Sequence, residues 1–128
     1  MTRLFLGCAL AAIAAAPSTA RLRDDVPAAT PTGPAQTCVR IADLRSSEVR
    51  NDRVIDFRTA SRDRTYRVTL PYACPSLGFE RAFSYETSLT QLCSNDIITV
   101  LYQGGGIQRG ASCGLAPFQP VRLDDRRR

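Results

Sequence analysis

The segment LCSNDIITVLYQGGGIQRGASCGL, from Leu92 to Leu115, places two cysteines on either side of a β-rich run and three consecutive glycines. The run from Asp96 to Tyr102 is rich in β-branched and aromatic residues, which predicts a strand. Gly104, Gly105 and Gly106 then predict a wide hairpin loop, because glycine adopts positive φ angles at no steric cost. The segment therefore predicts a hairpin with a cysteine near each end.

The glycine-rich stretch also matches part of a phosphate-binding loop. GGIQRGAS, Gly105 to Ser112, has the glycine spacing of that motif, but Ala111 occupies the position of its lysine. Gly114, Pro117 and Pro120 interrupt the segment that follows. A helix that would hold the anion at its N-terminus is therefore not predicted. We interpret the match as coincidental.

Two more strands are predicted upstream of this hairpin. The run RVIDFR, Arg53 to Arg58, follows the turn-forming pair Asn51 and Asp52. In RTYRVTL, Arg64 to Leu70, apolar side chains alternate with polar ones, which is the pattern of a strand with one buried and one solvent-facing side. Together with the residues that end at Val49, these runs predict a three-stranded antiparallel meander.

The segment between the meander and the hairpin lacks a strand pattern. From Cys74 to Tyr85 we predict a coiled or short-helical crossover, because prolines end the preceding strand. The tetrad SLTQ, Ser88 to Gln91, fits a capping box, so we predict a single helical turn that carries Leu89 and Leu92 inward.

The first 20 residues have the pattern of a secretory signal peptide. A short basic start leads into the apolar run LFLGCALAAIAAA, Leu4 to Ala16, and small residues at Ser18 and Ala20 form a cleavage site. The run has about 13 residues, fewer than the roughly 20 that a helix needs to cross a bilayer. Cys8 resembles a lipoprotein acylation site but lies too close to the start, so we interpret it as part of the signal. We predict cleavage near Ala20 and a periplasmic or secreted protein, with no transmembrane segment in the mature chain.

Composition divides the rest of the chain into three parts. Residues 21–37 are rich in proline and lack apolar periodicity, so we predict a disordered linker. Residues 38–121 contain the strand patterns, and a chain of 128 residues is long enough for one small domain only. Residues 122–128 are predicted to be a disordered charged tail.

The predicted domain contains Cys38, Cys74, Cys93 and Cys113. An even number of cysteines in an exported chain indicates two disulfides. The spacing includes no C-x-x-C pair, which argues against a zinc site and against a thioredoxin-like redox pair. Three pairings are open, with a slight preference for Cys38 with Cys113 and Cys74 with Cys93. The expected fold class is mainly β: a small antiparallel meander or barrel-like domain with a short helical turn, stapled by two disulfides.

Three stretches of this domain are distinctive, namely CVRIADLRSSEVRNDRVIDFR, TYRVTLPYACPSLGFERAFSYETSLTQLCSNDIITV and GASCGLAPFQPV. Together they resemble a family of small exported bacterial proteins that is classed as a domain of unknown function. The resemblance covers nearly all of residues 38–121, including the four cysteines, Asp96 and the closing CGL. It implies an exported bacterial protein with one β-rich domain. Since that family has no assigned activity, the resemblance implies no catalytic residues.

The chain contains neither histidine nor lysine. Ser-His-Asp triads, Cys-His pairs, Ser-Lys dyads and histidine metal sites are therefore excluded. A weak carbohydrate hydrolase that uses Glu80 or Glu86 is one alternative, although carboxylates in so small a domain generally pair with arginines or cap turns. We expect a protein that is not an enzyme and that uses no cofactor or metal.

The remaining functional signal is charge. All 17 basic residues are arginines, against 12 acids, which gives a net charge of +5. Guanidinium groups bind phosphate and carboxylate in a bidentate manner, so one hypothesis is an arginine-mediated binder of anionic envelope polymers or lipids. The arginines predicted around one hairpin are Arg58, Arg62, Arg64 and Arg67. Nucleic acid is not an expected partner, because no aromatic-basic motif is present and the chain is exported.

The hypothesis that we favour is a non-catalytic periplasmic module that binds another envelope protein. An exposed edge strand or the loop from Gly104 to Gly110 would form its contact surface. The candidate residues in that loop are Gly104, Gly105, Gly106 and Arg109.

Overall fold

β-strands dominate the chain, and the predicted fold class is confirmed. The computed structural model describes residues 26–61, 64–87 and 89–124. A 3-10 turn spans Ile41–Asp43, and a one-turn helix, α1, spans Leu77–Glu80. Neither is long enough or apolar enough to cross a membrane, nor is any other helix in the described residues. The strands are β1 (Ala29–Pro31), β2 (Cys38–Arg40), β3 (Leu44–Val49), β4 (Val54–Thr59), β5 (Thr65–Thr69), β6 (Phe83–Tyr85), β7 (Gln91–Cys93), β8 (Ile97–Tyr102), β9 (Gln108–Gly114) and β10 (Gln119–Leu123).

Every strand pair in the described residues is antiparallel. The large sheet has the order β1-β10-β5-β4-β3, the small sheet has the order β6-β8-β9, and β2 pairs with β7. The predicted meander is confirmed as β3-β4-β5, and the predicted hairpin is confirmed as β8-β9. Gly105 and Gly106 in the hairpin loop have φ angles of 73° and 109°, so the predicted positive φ is confirmed.

The turn between β3 and β4 forms at the residue pair that the sequence marks. The Asn51 side-chain oxygen accepts hydrogen bonds from the amides of Arg53 and Val54, each at 2.8 Å. Asparagine favours turns for this reason, since its side chain replaces a backbone acceptor. The Asp52 carboxylate accepts a bond of 2.7 Å from the amide of Gly78, which holds α1 against this turn.

The hydrophobic core lies between the large sheet and the small sheet. Its aromatic centre is Phe118, whose ring centroid lies 5.7 Å from that of Phe57 and 6.3 Å from that of Tyr66. Phe83 of the small sheet contacts Phe57 edge-on, at 6.1 Å. Such edge contacts suit the aromatic quadrupole and add to the stabilisation from apolar burial. The other buried apolar residues are Val39, Val49, Ile55, Val68, Leu70, Cys74, Leu77, Leu92, Ile98, Val100, Leu115 and Val121.

Two disulfides are present, as predicted, but the preferred pairing is wrong. Cys38 bonds to Cys93, because the two residues lie directly opposite each other in the β2–β7 pair. Cys74 follows β5 of the large sheet and bonds to Cys113 on β9 of the small sheet. On a loop-entropy argument each bond stabilises the fold by about 4 kcal/mol. The bonds indicate an oxidising compartment and leave no thiolate in this set to bind zinc.

The disordered linker predicted for residues 21–37 is wrong for the part that the structure describes. Strand β1 lies in that segment and pairs with β10 at the edge of the large sheet. Gln36 exchanges two backbone hydrogen bonds of 2.8 Å with Phe118. Pro31 fits an edge strand because proline has no backbone amide N–H. An inner strand needs such groups for hydrogen bonds to the neighbouring strand on each side. The proline-rich composition of the segment is therefore compatible with an edge strand, and it does not indicate disorder there.

The predicted boundary at Val121 is also too early. Strand β10 runs to Leu123, and the amide of Asp124 donates a hydrogen bond of 2.9 Å to the carbonyl of Ala28. Pairing between β1 and β10 therefore joins the two ends of the domain. The predicted signal peptide, residues 21–25 of the predicted linker, and residues 125–128 of the predicted tail lie outside the described residues.

The helical turn predicted before Cys93 is wrong. Residues Gln91–Cys93 form β7, and Leu89 is 66% exposed, although Leu92 is buried as predicted. The Thr87 hydroxyl accepts a hydrogen bond from the amide of Leu89 and donates one to the carbonyl of Gln91, which builds a polar turn instead. Ser88 lies outside the described residues. The predicted crossover from Cys74 to Tyr85 contains α1, as expected, and also β6.

Tryptic digestion provides a direct test of the disulfide pairing, because arginines separate all four cysteines into different peptides. Without reduction, we expect the peptide that contains Cys38 to be linked to the peptide that contains Cys93. The peptides of Cys74 and Cys113 should form the second linked pair. Mass spectrometry of the oxidised protein checks this, with a reduced digest as the control. Linkage of Cys38 to Cys113 would contradict the fold, because β2 and β9 are not neighbours.

Candidate functional site

A buried carboxylate organises the outward side of the meander. The Asp56 side chain is fully buried, and it accepts hydrogen bonds from Arg50 at 2.9 Å and from two nitrogens of Arg67 at 2.8 and 3.0 Å. Glu48 pairs with Arg50 at 2.8 Å and with Arg58 at 2.6 Å. The sequence pattern predicted a solvent-facing side for β5, but Thr65 is buried and Arg67 is largely covered. The predicted alternation is therefore right for the apolar side, but on the polar side only Thr69 is exposed.

Two of the predicted contact arginines are thus engaged in holding the sheet together. Arg67 neutralises a buried charge, and no buried side-chain polar atom in the described residues lacks a partner. Arg58 lies on the same side of the sheet, at the exposed end of this cluster, and is bound to Glu48. Because Arg67 is covered and uses two nitrogens on Asp56, it is not available to an anionic ligand without breaking an ion pair. Arg58 is half exposed and binds Glu48 through Nε, so its charge is already partly neutralised.

The other predicted contact residues do not form one site. Arg64 is exposed beside a depression lined by Asp43, Thr59 and Tyr66, and Arg62 lies outside the described residues. Arg109 is on the small sheet and binds Glu86 at 2.7 Å, with both side chains mostly exposed. The three glycines, Gly104, Gly105 and Gly106, form the exposed tip of the β8–β9 hairpin, next to Ile107, which is 78% exposed.

The two carboxylates of the hydrolase alternative lie in ordinary structural contacts. Glu80 ends α1 and accepts a hydrogen bond of 3.4 Å from the amide of Gln103. Glu86 is exposed in its ion pair with Arg109. No cluster of three or more histidine, cysteine or acidic residues that could hold a metal occurs in the described parts of the chain.

A surface that the sequence does not predict lies between β3 and β6. These strands are edges of the large and the small sheet, and the two sheets are not hydrogen-bonded to each other there. A groove of about 240 Å³ separates them. Its lining residues are Ile41, Leu44, Arg45, Ser46, Ser47, Phe57 and Tyr85.

The free edge of β3 has an unused hydrogen-bonding face. Within the described residues, the backbone of residues 45–49 forms hydrogen bonds with β4 and with no other segment. Backbone amides and carbonyls are obligatory hydrogen-bonding groups, so the outer ones must bind water or another strand. The edge is therefore competent to pair with an additional strand.

The register of β3 explains why this edge stays open. Ser47 lies opposite Phe57, so it is on the core-facing side of the strand, yet it is exposed. A small polar residue at a position where β-strands usually carry a large apolar one leaves the groove unfilled. Between Leu44 and Ser46 the register shifts, and Arg45 is the extra residue of a β-bulge. Bulges change the direction of a side chain and are frequent near binding sites.

One signal in the sequence points to this bulge. Leu44 packs against the core and Val49 is buried, but the two residues are five positions apart. A regular strand alternates sides with a period of two, so it cannot place both residues on one side. An extra residue in LRSSEV is therefore required. The groove itself depends on the position of β6, and no sequence pattern predicts that β6 lies beside β3.

Comparison of the chain with protein-family models, with curated proteins and with solved structures finds no match.

Removal of the buried carboxylate tests the structural role of the charge cluster. We expect Asp56→Ala to lower the free energy of unfolding by about 3 to 5 kcal/mol, because Arg50 and Arg67 lose the charge that compensates them. Glu86→Ala is the matched control, since it breaks an exposed ion pair worth less than about 1 kcal/mol. Urea unfolding of both oxidised variants measures the difference. A loss at Asp56 no greater than that at Glu86 would contradict the assignment.

Proposed function

We propose that this protein is a non-catalytic, exported interaction module that binds another envelope protein through the free edge of β3. The observation that supports the proposal is the combination of an unpaired strand edge with an adjacent open groove. The two disulfides support an oxidising compartment outside the cytoplasm. The same proposal includes export by a cleaved signal peptide and a periplasmic location. It also includes bacterial origin and membership of the family of unknown function.

Binding at such an edge follows the strand-addition mode. An extended segment of the partner forms main-chain hydrogen bonds with β3, and these bonds supply affinity. Alternate side chains of that segment point to one side of the sheet, so one of them enters the groove. Because β3 has six residues, an added strand of similar length covers the exposed edge.

The glycine-rich loop is the weaker of the two predicted contact surfaces. Its residues Gly104 to Gly106 offer no side chains, and no other segment of the described residues packs against them. Ordering a glycine-rich loop on binding costs conformational entropy, whereas β3 is already held by β4 and by the Glu48 ion pairs. The pre-organised edge therefore favours binding more than the loop does.

Arginine-mediated binding of anionic envelope polymers or lipids is the second candidate. It is supported by the arginines of the described residues that form neither an ion pair nor a side-chain hydrogen bond there, namely Arg40, Arg45, Arg64, Arg81 and Arg122. These residues lie on five different segments rather than in one patch. Contacts of this kind weaken as salt screens the charges, whereas a strand interface with an apolar anchor persists.

Site-directed cross-linking distinguishes the two candidates. A photoreactive amino acid is introduced at Ser46 on β3, at Gly105 in the loop, and at Thr30 on β1. Thr30 is the matched control, because β1 is the opposite edge of the same sheet. In the native envelope we expect one protein to cross-link at Ser46 in stoichiometric yield, with little reaction at the other two positions.

The outcome at high salt completes the test. Cross-linking at Ser46 should survive salt of about 1 M, where the Debye length falls to about 3 Å. Capture at Gly105 alone would move the contact to the loop. Labelling of polymer or lipid that disappears with salt, or no protein at Ser46, would refute the edge-binding module.

A further inference from the structure

We propose that the edge of β3 accepts an acidic extended peptide, with one apolar side chain in the groove and a neighbouring carboxylate on Arg45. This inference rests on the proposed function and specifies the chemistry of the partner. The partner segment is an extended stretch in which an aspartate or glutamate accompanies an aliphatic or aromatic residue. Its main chain pairs with β3.

The charged residues around the groove favour a partner segment with a negative charge. Arg45 is exposed, lines the groove, and forms no ion pair in the described residues. The acid of the same strand, Glu48, is already bound by Arg50 at 2.8 Å and Arg58 at 2.6 Å. An acidic segment therefore meets a free guanidinium group, whereas a basic segment meets an acid that two arginines have neutralised.

The other charged residues nearby do not reverse this balance. Glu86, which follows β6, is already bound by Arg109. Arg40, at the end of β2, is exposed and unpaired in the described residues. Asp43 is exposed in the 3-10 turn, but it lines a different depression together with Arg64. Around the start of β3 the net charge is therefore positive, which favours carboxylates over other groups that strands present.

The volume of the groove fits one side chain of a bound peptide better than it fits a free small molecule. Its volume of about 240 Å³ lies below the roughly 300–1,000 Å³ of typical ligand pockets. Ile41, Leu44 and Tyr85 supply apolar walls. Arg45, Ser46 and Ser47 supply polar ones, and the small Ser47 leaves the entrance open. An aliphatic or aromatic side chain of an added strand fits this combination, because its backbone remains at the edge of β3.

Protection against aggregation is the competing explanation for Arg45. Charged residues and bulges on edge strands prevent pairing with other chains. Such protection requires no groove, and a large apolar residue at position 47 would close the groove without exposing the edge. The small inward-facing Ser47 is therefore the feature that favours binding over protection.

Selection from a random octapeptide library on the disulfide-bonded protein tests the inference. We expect the recovered peptides to combine acidic with aliphatic or aromatic residues. Amide hydrogen exchange should show that they protect the amide of Ser47, which faces the free edge, because the amides of Ser46 and Glu48 already face β4. Arg45→Glu should weaken their binding by about tenfold or more, since a charge-assisted contact is replaced by a repulsive one.

Two further variants complete the design. Arg122→Glu is the matched control, because Arg122 is exposed on β10, forms no ion pair in the described residues, and changes the net charge equally. Its affinity for the same peptides should stay within about twofold. Ser47→Val should abolish the preference for an apolar residue, because its side chain fills the entrance while the β-branched residue suits the strand.

The outcomes distinguish the hypothesis of an acidic partner from the hypothesis of an edge-binding module. Peptides that protect β3 but are basic or neutral, or that bind Arg45→Glu as well as the unaltered protein, would refute the acidic partner and leave the edge module standing. If no peptide protects β3, the edge module is refuted as well. Self-association of Arg45→Ala in sedimentation, without loss of peptide selectivity, would identify Arg45 as a protective device.

Discussion

The buried carboxylate of Asp56 is the interaction on which the meander depends. It lies on β4 and binds Arg67 of β5 and Arg50 of the β3–β4 turn, and Arg50 in turn binds Glu48 of β3. All three strands are therefore connected through one charge network on the side away from the core. Because an unpaired buried charge is costly, the network restricts the strands to one register. That register places Ser47 over the groove and Arg45 at the bulge.

The disulfides explain where the domain is closed and where it is open. Cys74–Cys113 joins the large sheet to the small sheet near β5 and β9, and Cys38–Cys93 joins β2 to β7. Pairing of β1 with β10 closes the ends of the chain. Neither a disulfide nor a strand ladder connects β3 to β6 in the described residues, so the two sheets separate there. The open side therefore results from the distribution of cross-links and not from a weak core.

Local patterns in the sequence predicted what depends on neighbouring residues. Strands β4, β5 and β8 and the glycine loop follow from alternation, β-branching and glycine, all of which act over a few positions. The disulfide pairing was mispredicted because it depends on β2 lying beside β7, a contact over 55 residues. Strand β1 was missed because its hydrogen bonds come from β10. The burial of Asp56 and the groove were missed because each requires residues from separate strands.

In the proposed strand-addition mode, affinity and selectivity come from different parts of β3. Main-chain hydrogen bonds are available to any extended segment, so they give affinity without discrimination. Discrimination has to come from side chains, and the strand offers only a free arginine and a groove for this purpose, since Glu48 is occupied. A charge on an exposed edge opposes partners of like sign, including a second copy of the same strand. Under this proposal, the charge at Arg45 limits unspecific pairing and, for the same electrostatic reason, favours acidic segments as partners of the edge.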